Sequence, residues 1–173
     1  MSTRRGQYIS LREVLEEVGA DAARYFFLQR HINAHLEFDL ELAKKETPEN
    51  PVYYIQYAHA RIYSVKAKAV EAGLSAAHAE LKLLTSEAEL DLIKKIGIFP
   101  DVLVWCERAM DPYDLVVYLL ELATCFHKFY DQHRVVDVDQ RELSGERLAL
   151  LDATRITLAN GLKLLGIAAP QKM

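Results

Sequence analysis

Cysteine, glycine and proline are scarce in this chain, and each shortage excludes a class of protein. Two cysteines occur among 173 residues, Cys106 and Cys125, at a spacing that matches no zinc motif. We therefore expect reduced, packed thiols and no metal site, rather than a disulfide framework. Seven glycines and five prolines are too few for long linkers or low-complexity segments.

Long apolar runs and a surplus of positive charge are also lacking. No run approaches the ~20 residues of a membrane span, and no signal-peptide core follows the basic segment Met1–Gly6. We therefore expect a cytoplasmic protein without a membrane partner. The net charge of −4 argues against non-specific DNA or RNA binding, which depends on a basic surplus. A module that reads one RNA loop can still be acidic overall if its positive charges share one face.

Helical periodicity dominates the sequence that remains. About half of the residues are apolar and 27% are charged, as in a globular protein of one domain or slightly more. Capping boxes at Ser10 with Glu13 and at Ser86 with Glu89 predict helix starts, and Asp21 can cap a further helix. Only Val135–Val138 resembles a strand, and it has no partner. We predict an all-α fold: a bundle of about five helices behind a smaller helical lead-in.

The predicted helices follow from these start signals and from the spacing of apolar residues. They are Leu11–Val18, Ala22–Arg30, a short helix from Asp39 toward Lys45, Pro51–Ala72, Glu87–Ile96, Asp101–Met110, Pro112–Gln132 and Arg147–Gly166. The last is apolar almost all round and is predicted to be central, after a loop over Arg134–Gly145. The linker-like residues 45–50 (KETPEN) predict a boundary between residues 1–46 and 47–173.

The segment Asn50–Ile62, reading NPVYYIQYAHARI, starts a helix with two different faces. One face gathers apolar residues: Val52, Ile55, Ala58, Ile62, Val65 and Ala69. The opposite stripe contains Tyr54, Tyr57, Arg61, Ser64 and Lys68. Aromatic rings beside cations suit a single-stranded nucleic-acid loop, because bases stack on rings while phosphates attract Lys and Arg. The alternative is that these tyrosines pack in or beside the core.

Three stretches together resemble one family. NPVYYIQYAHARI resembles the first helix of the anticodon-binding domain of arginyl-tRNA synthetases. RLALLDATRITLANGLKLLGIAAPQKM resembles that enzyme's C-terminus, and MSTRRGQYISLREVLEEVGADAARYFFL resembles the loop and helices that end its catalytic domain. The resemblance implies that residues 1–46 end a class I catalytic domain and that residues 47–173 form a helical anticodon-binding domain of the DALR type.

The resemblance also places an ATP-contacting loop at the start of the chain. In class I synthetases, a KMSKS-type loop brings positive charge to the ATP phosphates. Ser2 matches its serine, Thr3 stands where its second lysine usually is, and Arg4 or Arg5 would supply charge instead. The alternative is a basic N-terminal segment without a partner. The family's nucleotide-binding sheet has no counterpart in these residues, so we expect residues 1–173 alone to be inactive. Arginine, ATP and Mg²⁺ would be used only by the full-length enzyme, which we expect to be a monomer.

For binding of the arginine tRNA anticodon loop, the resemblance implies roles for five residues. Tyr57 and Tyr130 would stack on bases, Arg61 and Arg134 would hold phosphates or base edges, and Met173 would close the site. Tyr130 and Arg134 are four residues apart and are predicted to share one face. Arg134 departs from the aromatic residue that some family members have there. Core packing for Tyr130 and disorder for Met173 are the alternatives.

Other functions fit parts of the sequence. A helical protein–protein adaptor would also suit the acidic charge and abundant leucine, and would show an exposed apolar groove. The cysteine and methionine class I synthetases also end in helical anticodon domains, but YAHAR and LLGIAAPQKM favour the arginine enzyme. His31, His35 and Asp39 have metal-like spacing, yet we expect surface histidines near the boundary instead.

Overall fold

The computed structural model describes residues 10–76 and 81–173, and every regular element within these two ranges is an α-helix. This result confirms the predicted all-α fold. In chain order, the helices are α1 (Leu11–Leu28), α2 (Leu40–Ala43), α3 (Pro51–Glu71), α4 (Glu87–Gly97), α5 (Phe99–Ala109), α6 (Tyr113–Gln132) and α7 (Arg141–Leu164). Across both described ranges, none of them is long and apolar enough to cross a membrane.

Local capping signals determine where most helices begin. Both predicted capping boxes are present: Ser10 pairs with Glu13 at α1, and Ser86 pairs with Glu89 at α4. Asn50 caps α3, with Pro51 in the first turn, because its side-chain oxygen accepts from the backbone N–H of Val52. These interactions satisfy backbone donors that a helix start leaves unpaired.

Helix α1 is divided at Gly19, which has a φ of 78°. The predicted end of the first helix at this glycine is therefore confirmed. The prediction that Asp21 caps the following helix is wrong, because Asp21 lies within the helical segment and its carboxylate accepts from Gln56 and Ala168 instead. Sequence spacing identified a capping residue type but did not show that two distant donors lie beside it.

The central helix is α6, not the last helix as predicted. Helix α6 packs against α1, α3, α4, α5 and α7, and Leu119, Leu122 and Phe126 are fully buried. Helix α7 leaves Ile156 and Leu164 exposed at 48% and 61%, so it covers the core on one side only. The predicted position of α7 failed because an apolar composition does not reveal how many neighbours a helix has.

Helix α7 also begins earlier than predicted, at Arg141 rather than Arg147, so part of the predicted loop is helical. The buried Ser144 hydroxyl accepts from the Asp137 N–H and donates to the Asp137 carbonyl. Glu146, also buried, accepts from the backbone N–H groups of Lys82 and Leu83. These tertiary hydrogen bonds stabilise a first turn that lacks a side-chain cap.

The lead-in, which consists of α1 and α2, packs against the rest of the molecule. Tyr25 and Phe26 of α1 belong to the same buried cluster as the core residues of α3 and α6. The Asn50 amide donates to the carbonyls of Ala43 and Lys45, which fixes the turn between α2 and α3. The boundary between residues 1–46 and 47–173 stays a prediction.

Candidate nucleic-acid interface

A cleft of about 520 Å³ lies between α3, the end of α6 and the C-terminal tail, residues 165–173. Four of the five residues predicted to bind tRNA meet in its wall: Tyr57, Arg61, Tyr130 and Met173. The remaining lining residues are Ala60, Ser64, Val65, Lys68 and Lys172. Residues that are distant in the sequence therefore form one concave surface.

The two faces of α3 separate as the periodicity predicts. Val52, Ile55, Ala58, Ile62, Val65 and Ala69 are all buried. From the opposite stripe, Tyr57, Arg61, Ser64 and Lys68 reach the cleft. Tyr54 does not line it, since its ring packs against that of His127 at 4.5 Å, beside the core. For Tyr54, the alternative of packing beside the core is the correct one.

Arg61 occupies the space between two tyrosine rings. Its guanidinium carbon is 4.2 Å from the Tyr130 ring centroid and 5.7 Å from the Tyr57 ring centroid. Both distances are within the range of cation–π attraction. Among residues 10–76 and 81–173, no carboxylate forms an ion pair with Arg61. The rings orient the guanidinium without using its N–H donors.

The Tyr57 ring packs against two other aromatic rings. Its ring is nearly parallel to that of Tyr53, with centroids 6.3 Å apart, and to that of His127, with centroids 5.9 Å apart. Both contacts involve residues outside the predicted site. Because neighbouring rings restrict its movement, Tyr57 presents a fixed aromatic surface at the cleft.

His127 is a buried residue on α6 that was not among the predicted site residues. It is 8% exposed, and its Nε2 has no hydrogen-bond partner within the described part of the chain. Burial lowers the pKa of His127, and the nearby charge of Arg61 lowers it further. The imidazole is therefore neutral at pH 7. Its position on α6, three residues before Tyr130, was the feature of the sequence that could have identified it as a neighbour of the site.

Arg134 lies beside the cleft but does not share a helical face with Tyr130. Helix α6 ends at Gln132, and His133 has an extended backbone with φ −130° and ψ 132°. The Arg134 Nε donates to the Val136 carbonyl at 3.2 Å. Arg134 and Tyr130 both line a neighbouring cavity of about 220 Å³. The predicted face is therefore wrong, because the helix ends before the required turn is complete.

Met173 reaches the cleft because the tail is held against α3. Gly166 has a φ of 69° after the end of α7, and the Ile167 N–H donates to the Leu162 carbonyl, as in a Schellman turn. The Nδ1–H of buried His59 then donates to the Pro170 carbonyl at 2.7 Å. Burial lowers the pKa of His59, although this hydrogen bond opposes the shift. Met173 is 53% exposed and forms part of the cleft wall.

The cleft is positively charged although the whole chain has a net charge of −4. Arg61, Lys68 and Lys172 line it, and none of the described lining residues is acidic. Lys172 was missed by the sequence analysis, because only the hydrogen bonds of the tail bring its last residues to α3. The local excess of cations meets the condition under which an acidic protein can bind RNA.

Other predicted residues lie away from this cleft. Ser2, Thr3, Arg4 and Arg5 fall outside the described residues. His31 Nδ1 donates to the Asp111 carboxylate at 2.9 Å, and its ring contacts Tyr113 at a centroid distance of 4.0 Å.

Hydrogen bonds explain the ionisation of Asp111. The hydrogen bond from the Tyr113 backbone N–H has the largest effect and lowers the pKa of this carboxyl, and the hydrogen bond from His31 lowers it further. His31, whose side chain is exposed, therefore connects the segment after α1 to the start of α6. No group of three His, Cys, Asp or Glu side chains in the two described ranges has metal-binding geometry.

Comparison with known proteins supports the resemblance seen in the three sequence stretches. The family model described as the DALR anticodon binding domain matches residues 55–173. The arginine–tRNA ligase of Carboxydothermus hydrogenoformans is 53% identical over 176 residues, which cover 100% of this chain and 31% of that relative. The chain thus spans about a third of the length of the curated relatives it matches.

Two solved structures extend the comparison to three dimensions. A Campylobacter jejuni protein, provisionally assigned as an arginyl-tRNA synthetase, has a TM-score of 0.86 and 34% identity over 99% of this chain and 37% of its own. The arginyl-tRNA synthetase of Thermus thermophilus has a TM-score of 0.74 and 26% identity over 96% of this chain and 28% of its own. The helical fold, the cleft and the match to residues 55–173 show that this chain belongs to the DALR anticodon-binding domain family.

Proposed function

We propose that the cleft binds the anticodon stem and loop of an arginine tRNA. The observation that carries this proposal is the guanidinium of Arg61, held between the rings of Tyr57 and Tyr130 in a cleft without acidic lining residues among those described. Unstacked loop bases need flat aromatic surfaces, and the loop backbone needs nearby cations.

The five predicted site residues have the following proposed roles. Tyr57 and Tyr130 stack on bases, an interaction worth about 1–3 kcal/mol per base. Arg61 holds a phosphate or base edge with its free N–H donors, and Met173 closes the end of the cleft. Arg134 contacts the RNA from the neighbouring cavity, which it lines together with Tyr130, and its charge takes the place of the aromatic residue that some family members have there.

We further propose that this chain is the C-terminal part of an ATP-dependent arginine–tRNA ligase. The 53% identity to a ligase of which it covers 31% supports this proposal. Ser2, Thr3, Arg4 and Arg5 would approach the ATP phosphates in the complete enzyme, where Mg²⁺ would accompany ATP. The complete enzyme would act in the cytoplasm as a monomer, with residues 1–46 contacting the inner corner of the tRNA.

A binding experiment tests the RNA proposal directly. Purified protein is titrated with a fluorescent hairpin that carries an arginine anticodon, and with hairpins of the same stem that carry unrelated anticodons. The proposal expects tighter binding to the arginine hairpin and weaker binding as salt rises, because cations in the cleft replace counterions on the phosphates. Equal affinity for every hairpin, or no binding at low salt, would contradict it.

The alternative functions make different demands on the surface. A protein–protein adaptor needs an exposed apolar groove, whereas this cleft is lined by tyrosines, an arginine and two lysines. The cysteine and methionine synthetases are the other alternative, but the similar proteins reported above include two arginine enzymes. Both comparisons favour arginine tRNA as the partner.

A further inference from the structure

Asp21 joins the lead-in helix α1 to the C-terminal tail. Its Oδ2 accepts from the Gln56 side-chain amide at 3.0 Å and from the Ala168 backbone N–H at 3.2 Å. The Gln56 amide also donates to the Ala168 carbonyl at 3.0 Å. Helix α1, helix α3 and the tail therefore meet in one ring of hydrogen bonds, and Asp21 is its only charged member.

Two further side chains hold the tail on either side of this ring. Arg24, also on α1, donates from Nη1 to the carbonyl of Gly166. His59 on α3 donates to the carbonyl of Pro170 at 2.7 Å. The backbone from Gly166 to Pro170 is thus fixed by side chains from two helices, and the last residues must leave it toward the cleft.

Lys172 and Met173 follow directly after the segment that these hydrogen bonds hold. Both residues line the cleft, and both follow Pro170 within three positions. Without the Asp21 carboxylate, the Ala168 N–H loses its acceptor and the Gln56 amide loses one of its two. This loss removes the hydrogen bonds that tie α1 to Gln56 and to the tail, so the tail would leave this position more often.

We propose that Asp21 is a positioning residue for the RNA cleft, acting through Ala168 to place Lys172 and Met173. This inference rests on the proposed RNA-binding function. It assigns a role to a residue outside the segment 55–173 that the family model matches. Asp21 does not line the cleft itself, so its effect on RNA requires an ordered tail. The lead-in and the RNA site are therefore coupled through the tail.

The first test measures hairpin affinity for Asp21→Ala and Asp21→Asn. Asp21→Ala removes the acceptor and should weaken binding about five- to tenfold, because only the molecules whose tail lies against α1 and α3 bind the hairpin with full affinity. Asp21→Asn keeps an oxygen that can accept both hydrogen bonds and should retain most of the affinity. Glu16→Gln removes an exposed carboxylate from the same helix and controls for the change in charge. Gln56→Ala breaks the ring from α3 and should reproduce the effect of Asp21→Ala.

The second test combines these variants with removal of Lys172 and Met173. In the shortened protein, Asp21→Ala should cause no further loss of affinity, because the residues that it positions are gone. A full, additive loss would show a general structural role and overturn the inference, as would unchanged affinity of Asp21→Ala in the complete chain. If the unaltered protein binds no hairpin, the proposed function itself fails, which distinguishes the two outcomes.

Discussion

Replacing Arg61 with glutamine removes a charge from between two tyrosine rings and should change both the strength and the salt dependence of RNA binding. In the structure, the guanidinium carbon is 4.2 Å from one ring centroid and 5.7 Å from the other. The side chain has no carboxylate partner in the part of the chain that the structure describes. Its charge is therefore available to the RNA.

The expected magnitude follows from counterion release. One lost contact with a single-stranded phosphate reduces the salt slope by about 0.7, which corresponds to about fivefold weaker binding at 0.1 M salt. Loss of the cation–π contacts lowers the stability of the free protein by about 0.5–1 kcal/mol. Arg61→Gln should therefore remain folded while binding the hairpin roughly five- to tenfold more weakly at 0.1 M salt.

The assay is a set of hairpin titrations between 0.05 and 0.3 M salt for three variants, with each slope compared to that of the unaltered protein. Arg61→Lys keeps the charge but loses the flat group between the rings, so its slope should be unchanged while its affinity falls modestly. Arg108→Gln removes an exposed charge on α5 and serves as the matched control. It should change neither affinity nor slope.

One result would refute this reasoning. If Arg61→Gln weakens binding but leaves the slope unchanged, Arg61 contacts no phosphate. Its role would then be to contact a base edge, or to hold Tyr57 and Tyr130 apart within the protein.

Three further predictions address the aromatic support, the buried histidine and the core. Tyr57→Ala should weaken hairpin binding by about 1–3 kcal/mol; loss of thermal stability with full affinity would show that Tyr57 serves the core instead. Because burial lowers the pKa of His127, the unfolded chain binds a proton as pH falls through its ordinary pKa of about 6.5 while the folded chain does not. The free energy of unfolding should therefore fall between pH 7 and pH 5. For His127→Phe, urea unfolding should show a smaller fall over the same pH range. An equal fall would contradict the lowered pKa of His127. Gly161→Ala should destabilise the protein by about 1–2 kcal/mol, because a Cβ there would lie 2.5 Å from Leu119 Cδ2 in the core. The control is Gly97→Ala, whose added Cβ meets no atom within 4 Å and which should not destabilise the protein.

Features that depend on neighbouring residues in the chain were predictable from the sequence. The capping boxes, the proline at the start of α3 and the buried face of that helix all depend on spacing of a few residues. Tyr57 and Arg61 were placed together for the same reason, since residues four apart on a helix face the same side.

Features that depend on tertiary contacts were not predictable. The sequence predicts the end of α6 at Gln132, but not the extended backbone of His133 that separates Arg134 from the helical face of Tyr130. Lys172 joins the cleft only because Ala168 and Pro170 are held by other elements. The position of Tyr54 against His127 likewise depends on how α3 meets α6.

The most direct test of the RNA cleft uses its methionine. Of the three methionines, Met173 lines the cleft, whereas Met110 is 84% exposed at the end of α5. Met110 precedes the start of α6, and Tyr130 lies near the other end, roughly 26 Å away along the helix. With 13C-methyl-methionine protein and an arginine anticodon hairpin, the account predicts that the Met173 methyl resonance shifts while that of Met110 does not. A shift at Met110 alone, or none at Met173 when the hairpin binds, would contradict it.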